Sequence, residues 1–205
     1  MISTNKAESF SVQVKSNVKQ TYLPSELGVW MFVFGDMLVF TLLFGSYAWE
    51  RSQQHSLFVT SQAELSQTIG VINTLLLLTG SLFVVLALHA ARIGRFALVN
   101  KLLLAAIFTG ITFFINKLFE YSDKVSNDFT LLTNDFFMFY YMLTGIHLLH
   151  VIVATGVLVF IWKRLKANQS PLSKDSIKHL ESGGIVWHMV DLLWIALFSL
   201  LYLIK

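Results

Sequence analysis

The chain contains no cysteine, only two prolines, and few charged residues, 13% of its 205 positions. Without thiolates it holds no cysteine-ligated iron–sulfur cluster, no cysteine-type structural zinc, no cysteine-bridged copper pair and no disulfide, so any redox chemistry here would rest on histidine. Paired Gly/Pro interruptions of the kind that break transporter helices are missing, as is any internal repeat. The charged fraction is about half of what soluble domains carry. What is present instead is apolar: 55% hydrophobic residues and 18 Phe, with a mean hydropathy of +0.65. This is the composition of an integral membrane protein.

A helix needs about 20 apolar residues to cross a bilayer core. Five stretches qualify, Gly28 to Trp49, Ile69 to Ala91, Leu102 to Phe119, Phe136 to Trp162 and Ile185 to Ile204. The expected fold is therefore an all-α membrane bundle of five transmembrane helices, residues 28–205, behind a polar tail, residues 1–27. Trp30, Trp49, Trp162 and Tyr202 stand near span ends, where amphipathic rings favour the headgroup zone. The tail has no short apolar core ahead of a small-residue cleavage site, so it reads as retained. Pro24, Ser25 and Glu26 make a helix start, because proline suits a first turn and a carboxylate favours the positive end of the helix dipole.

The net charge of +3 is topology rather than a nucleic-acid surface, because the basic residues flank the spans. Lys6, Lys15 and Lys19, then Arg92, Arg95 and Lys101, then Lys163, Arg164, Lys166, Lys174 and Lys178 fall on one side. Only Arg51, Lys124 and Lys205 fall on the other. The positive-inside rule then puts the N-terminus in the cytoplasm and the C-terminus outside. The connection "EYSDKVSNDFTLLTND" carries four acidic residues against one lysine, which suits an external loop.

Ionisable groups inside spans each cost roughly 2.5–3.5 kcal/mol at a helix centre, so each needs a partner or a purpose. Asp36 lies about 12 Å into the first helix and Asp191 about 9 Å into the last, at about 1.5 Å rise per residue. His188 shares a face with Asp191, three residues away. These form an inner polar layer. His147 and His150 lie near the midplane, and Asn116, Lys117 and Glu120 form an outer layer. Three readings stand for the two midplane histidines: haem or metal ligation, hydrogen bonds across helices to Asp191 or Asp36, and a His–carboxylate proton path. Lys117 and Glu120, at i and i+3, read as a local ion pair at the outer membrane edge. Arg92, Arg95 and Lys101 could hold anionic lipid headgroups, and positive-inside bias accounts for them equally well. "NDFFMFYYMLTG" reads as helix-packing and lipid-facing surface.

"TGIHLLHV" (Thr144 to Val151) and "WHMVDLLW" (Trp187 to Trp194), with "FEY" (Phe119 to Tyr121) and "GDMLVF" (Gly35 to Phe40), together resemble subunit III of haem–copper oxidases. The resemblance runs from about Gly28 to Lys205 and is to the five-helix bacterial form. Within that form, "INTLLLLTG" and "NDFFMFYYMLTGIHLLHV" are similar to the short proteins associated with nitric oxide reductase. Lys117 departs from the pattern, standing where many relatives have an uncharged polar residue.

The resemblance implies two packs, helices 1–2 and helices 3–5, around a cleft filled by phospholipid, packed against a catalytic subunit I and alongside subunit II. It implies residence in the bacterial inner membrane, no haem or copper in this chain, and haem and copper in the partner. It gives Asp36 a place on the proton-uptake side of subunit I; the residues themselves add the expectation of a proton-uptake or intramembrane polar network of Asp36, His147, His150, His188, Asp191 and Glu120. The expected function is that of an accessory, non-catalytic subunit III of a respiratory oxidase. The alternatives are an accessory subunit of a nitric oxide reductase, a haem-carrying membrane anchor of a quinone-linked enzyme, and a small transporter.

Overall fold

The computed structural model describes residues 27–167 and 174–204. The tail, including Lys6, Lys15, Lys19 and the expected helix start at Pro24, Ser25 and Glu26, lies outside them, as does Lys205. Among the described residues all regular structure is helical: α1 (Leu27–Gln53), α2 (His55–Ala63), α3 (Gln67–Arg92), α4 (Phe96–Ser126), α5 (Asp135–Ala167) and α6 (Lys174–Phe198), the last continuing into a π-helical turn, Ser199–Leu203. Five of these are long and apolar enough to cross a membrane.

Three elements depart from the expectation. The nine-residue α2 was read as part of a connection. It forms because Phe58 is buried against Tyr47 and Phe136, and because Asn134, which caps α5 through Phe137 N–H, donates its amide to Ser61 Oγ at 2.9 Å. Helix α6 begins about three turns before Ile185, since its polar first turns bury Leu180 against the bundle. Helix α4 likewise runs beyond its apolar centre at both ends.

Helices α3, α4, α5 and α6 pack in a ring, each against its two neighbours, and α1 leans on the seam between α5 and α6. The cleft expected between helices 1–2 and helices 3–5 is therefore not the division seen: α3 belongs to the four-helix ring, and α1 alone stands apart. Only 6% of the most apolar stretch of α1 is buried, against 56% for α6. Its packing face is a single narrow stripe, Val33, Asp36, Met37, Phe40, Phe44 and Tyr47, at the three- and four-residue spacing of one helix face.

Small residues let the ring close. Trp187 of α6 wedges between α3 and α4, where Gly80 and Gly110 leave room for its indole: a Cβ on Gly110 would lie 2.9 Å from the Trp187 ring and 2.5 Å from Thr155 Oγ1. Close approach through small residues is how membrane helices gain packing that lipid cannot supply. The α3–α4 turn relies on Gly94, whose φ of +74° is open to glycine. Arg95 N–H donates to Ala90 O and Gly94 N–H to Ala91 O, which satisfies the last carbonyls of α3.

Candidate functional site

The polar residues of the spans gather into three nodes. The first joins α1 to α5. Asp36, on the packing stripe of α1, meets His150 with Oδ1 2.9 Å from Nε2, and Phe40 sets its ring edge against the same imidazole. His150 Nδ1 lies 2.8 Å from the carbonyl of Ile146. A carbonyl only accepts, so Nδ1 carries a hydrogen there. The contact to Asp36 then holds one further proton, on nitrogen as imidazolium–carboxylate or on oxygen as carboxylic acid–imidazole. Asp36 Oδ2 is buried without a hydrogen-bond partner among the described residues. The side chains are 16% and 10% exposed, so the pair sits at a seam rather than in the core. Of the readings for Asp36, pairing with an imidazole is the one observed.

His147 behaves differently. It is fully buried, and neither ring nitrogen has a partner among the described residues. It packs against Phe113 and Trp194, ring centroids 5.7 and 5.2 Å away. The hydrogen bond expected for it is absent because three residues of helix turn the side chain by about 300°. His150 points to the α1 seam and His147, about 60° away, into the ring of four.

The second node joins α3 to α6. Ser81 Oγ lies 2.6 Å from His188 Nδ1, and Asp191 is buried one turn along the same face of α6. The expected shared face of His188 and Asp191 is present. Ser81, which completes the node, was not singled out from sequence, since a serine in "LTGSLF" carries no distinguishing signal. Asp191 does not join Asp36: the two carboxylates belong to separate nodes.

The third node is the Lys117–Glu120 pair, with Nζ 3.0 Å from Oε2. The pair was expected, but its place was not, because both side chains are sealed inside the bundle rather than at its edge. Glu120 Oε1 accepts from Tyr140 and Tyr202, and Lys117 Nζ donates to Tyr202 OH at 3.0 Å and to Tyr140 OH at 3.4 Å. The rings of Tyr121, Tyr140, Trp194 and Tyr202 surround the ammonium at 5.0–5.6 Å. Tyr140 comes from the segment read as packing surface, and Tyr202 is presented by the π turn. Asn116, of the same expected layer, donates instead to Asn73 of α3.

At the basic end of the bundle Arg92 is paired with Glu181 at 2.9 Å, while Arg95 and Lys101 are exposed and converge on nothing described. Between α4 and α5 an apolar groove of about 250 Å³ is lined by Gly110, Ile111, Phe114, Val151, Ile152 and Thr155. No three His, Asp or Glu side chains converge as a ligand set among the described residues. The nodes are hydrogen-bonded groupings of carboxylate, imidazole, hydroxyl and ammonium groups.

Comparison with known proteins agrees with the motifs. The family model of cytochrome c oxidase subunit III matches residues 8–205. A heme-copper oxidase subunit I+III from Aeropyrum pernix is 27% identical over 86% of this chain and 22% of its own length. A cytochrome c oxidase subunit 3 from Alkalihalophilus pseudofirmus is 28% identical over 86% of this chain and 85% of its own. Another, from Synechocystis, is 29% identical over 93% of this chain and 85% of its own.

Proposed function

The chain belongs to the cytochrome c oxidase subunit III family, and from that premise we propose that it is the accessory, non-catalytic subunit of a respiratory haem–copper complex. It braces subunit I and supports proton uptake at the Asp36–His150 pair. The observation that carries this reading is the pair itself: a carboxylate and an imidazole sharing one proton across a seam between a loosely held helix and the main bundle. Such a pair can pass a proton between oxygen and nitrogen with little rearrangement. The relative that combines subunits I and III in one polypeptide supports subunit I as the neighbour.

In this reading haem and copper reside in the partner, and subunit II completes the complex. Phospholipid fills the outer grooves, including the one between α4 and α5. The chain lies in the bacterial inner membrane with its basic end in the cytoplasm, which places Asp36 toward the side from which protons enter.

The test is purification of the tagged chain from its native membrane in gentle detergent, followed by its visible spectrum and turnover. The reading expects haem on a separable large subunit. It also expects an Asp36→Ala complex that assembles and then turns over more slowly or inactivates sooner. Unchanged activity through prolonged turnover removes the proton-uptake role. A large subunit whose metal centre reduces nitric oxide gives the same fold the other partner, and a Soret band that stays with this chain alone makes its histidines ligands.

A further inference from the structure

Helix α6 is the most buried span, yet one stripe of it is open. Ile185 and His188 are half-buried along that stripe, and Leu192 and Ile195 are exposed. Its borders follow from the packing. Helix α6 sits in the ring between α3 and α5, with α1 on the α5–α6 seam. Among the described residues α1 and α3 share no extensive contact, so the stripe runs as a groove with α6 as its floor and α1 and α3 as its walls.

The groove has polar chemistry at mid-depth. Ser81 lies 11 residues from the basic end of α3, Arg92, about 16 Å along the axis. There it meets His188 Nδ1. With Nδ1 engaged by the serine, Nε2 is the ring nitrogen left to hydrogen-bond, as donor or acceptor according to the tautomer. Among the described residues no group meets it.

Lipid is a poor occupant for such a groove, because hydrocarbon offers nothing to an imidazole nitrogen, and ionisable side chains in spans face a bundle interior, a water-filled cavity or a protein partner. The outward face of α4 shows what a lipid-facing surface looks like here: Leu104, Phe108, Ile111 and Ile115, with no polar group among them. We propose that the α1–α3 groove over α6 seats a transmembrane helix of the catalytic subunit, and that this helix places a hydrogen-bonding group at His188 Nε2. The inference rests on the function proposed above and assigns the partner its docking surface. Ile185 on one side of His188 and Leu192 and Ile195 on the other would supply the apolar contact around the polar one, the combination by which helices recognise each other in a bilayer.

The absence of native cysteine does not limit the test, which uses a photoreactive side chain in the intact complex. A benzophenone amino acid replaces Leu192 in the tagged full chain in its native membrane, and Phe108 on α4 in a control. Illumination should join position 192 to the haem-bearing subunit, identified by mass spectrometry, and position 108 to lipid only. Adducts from position 192 with lipid alone, or with a second copy of this chain, while the haem-bearing subunit still co-purifies, overturn the docking surface and leave the proposed function standing. If no haem-bearing subunit co-purifies with the parent chain, both fall. His188→Leu should lower co-purification of that subunit about tenfold, whereas His188→Gln, whose amide offers both a donor and an acceptor, should retain it. Equal retention by the two variants overturns the hydrogen bond.

Discussion

Replacing Lys117 by methionine tests how the bundle tolerates a charge pair sealed in its interior. In the parent chain Glu120 takes one ammonium and two phenol donors, and the ammonium is ringed by four aromatic faces. Lys117→Met leaves the carboxylate buried with its two tyrosines and no counter-charge, a loss of about 3–5 kcal/mol for breaking a buried pair from one side. Glu120→Gln is milder, about 1–3 kcal/mol, because the amide oxygen still accepts from Tyr140 and Tyr202 and the rings still hold the cation. With both changes the site is neutral: methionine fills the cage and the glutamine carbonyl takes the phenols. Neutral replacements of buried pairs approach or exceed the parent's stability. The double variant should therefore be more stable than Lys117→Met alone. For a chain of this size each 1 kcal/mol moves the midpoint by about 2–4 °C, so Lys117→Met should melt about 6–20 °C below the parent.

The assay is thermal unfolding of the purified chain in mild detergent, followed by near-ultraviolet circular dichroism. Trp194 and the surrounding tyrosines make the signal report on the cage itself. Recovery of most of the loss in the double variant demonstrates coupling through the pair. Additive losses, with the double variant less stable than either single one, refute the assignment of the cage as a closed, mutually satisfied unit.

Gly110→Val should destabilise by about 1–3 kcal/mol through overpacking against Trp187 and Thr155, whereas Gly156→Ala, where nothing lies within 4 Å, should be neutral or stabilising, as melting of the two variants would show. Because the chain has no cysteine, single cysteines at Leu132, 90% exposed, and at Arg95 report topology: a membrane-impermeant maleimide should label Leu132→Cys from outside intact cells and Arg95→Cys only after permeabilisation. His150→Leu should slow turnover of the assembled complex as Asp36→Ala does, since either change removes one bearer of the shared proton; normal turnover in His150→Leu shows that Asp36 works without it.

The five spans were legible because a bilayer imposes one rule, an apolar run of sufficient length, on each of them. The same rule hides helix that lies outside the hydrocarbon. The first turns of α6 and the whole of α2 fold on protein contacts such as Leu180 and Phe58, which no hydropathy window detects. The Lys117–Glu120 pair was legible as an i, i+3 spacing, but its enclosure was not. Tyr140 and Tyr202 reach Glu120 from 20 and 82 residues away, and the π turn that presents Tyr202 leaves no mark in "SLLYL". The grouping of helices inferred from resemblance did not hold, because small residues on α3 and α4 bring those two helices together around Trp187.

The two histidines of "TGIHLLHV" meet different fates, and the difference bears on where a mobile proton can sit. His147 is closed among rings with no acceptor in reach. The Lys117–Glu120 cage is also closed, with Glu120 Oε1 accepting from two phenols and Oε2 ion-paired to the sealed ammonium. Exchange needs a group that is one proton short of saturation and has a way out. Asp36 and His150 meet both conditions: they hold one proton between two bases, keep one carboxylate oxygen unpartnered, and lie where α1 touches the bundle along a single stripe. On the proposed function, the weak packing of α1, which costs the fold stability, would be what gives the pair its access.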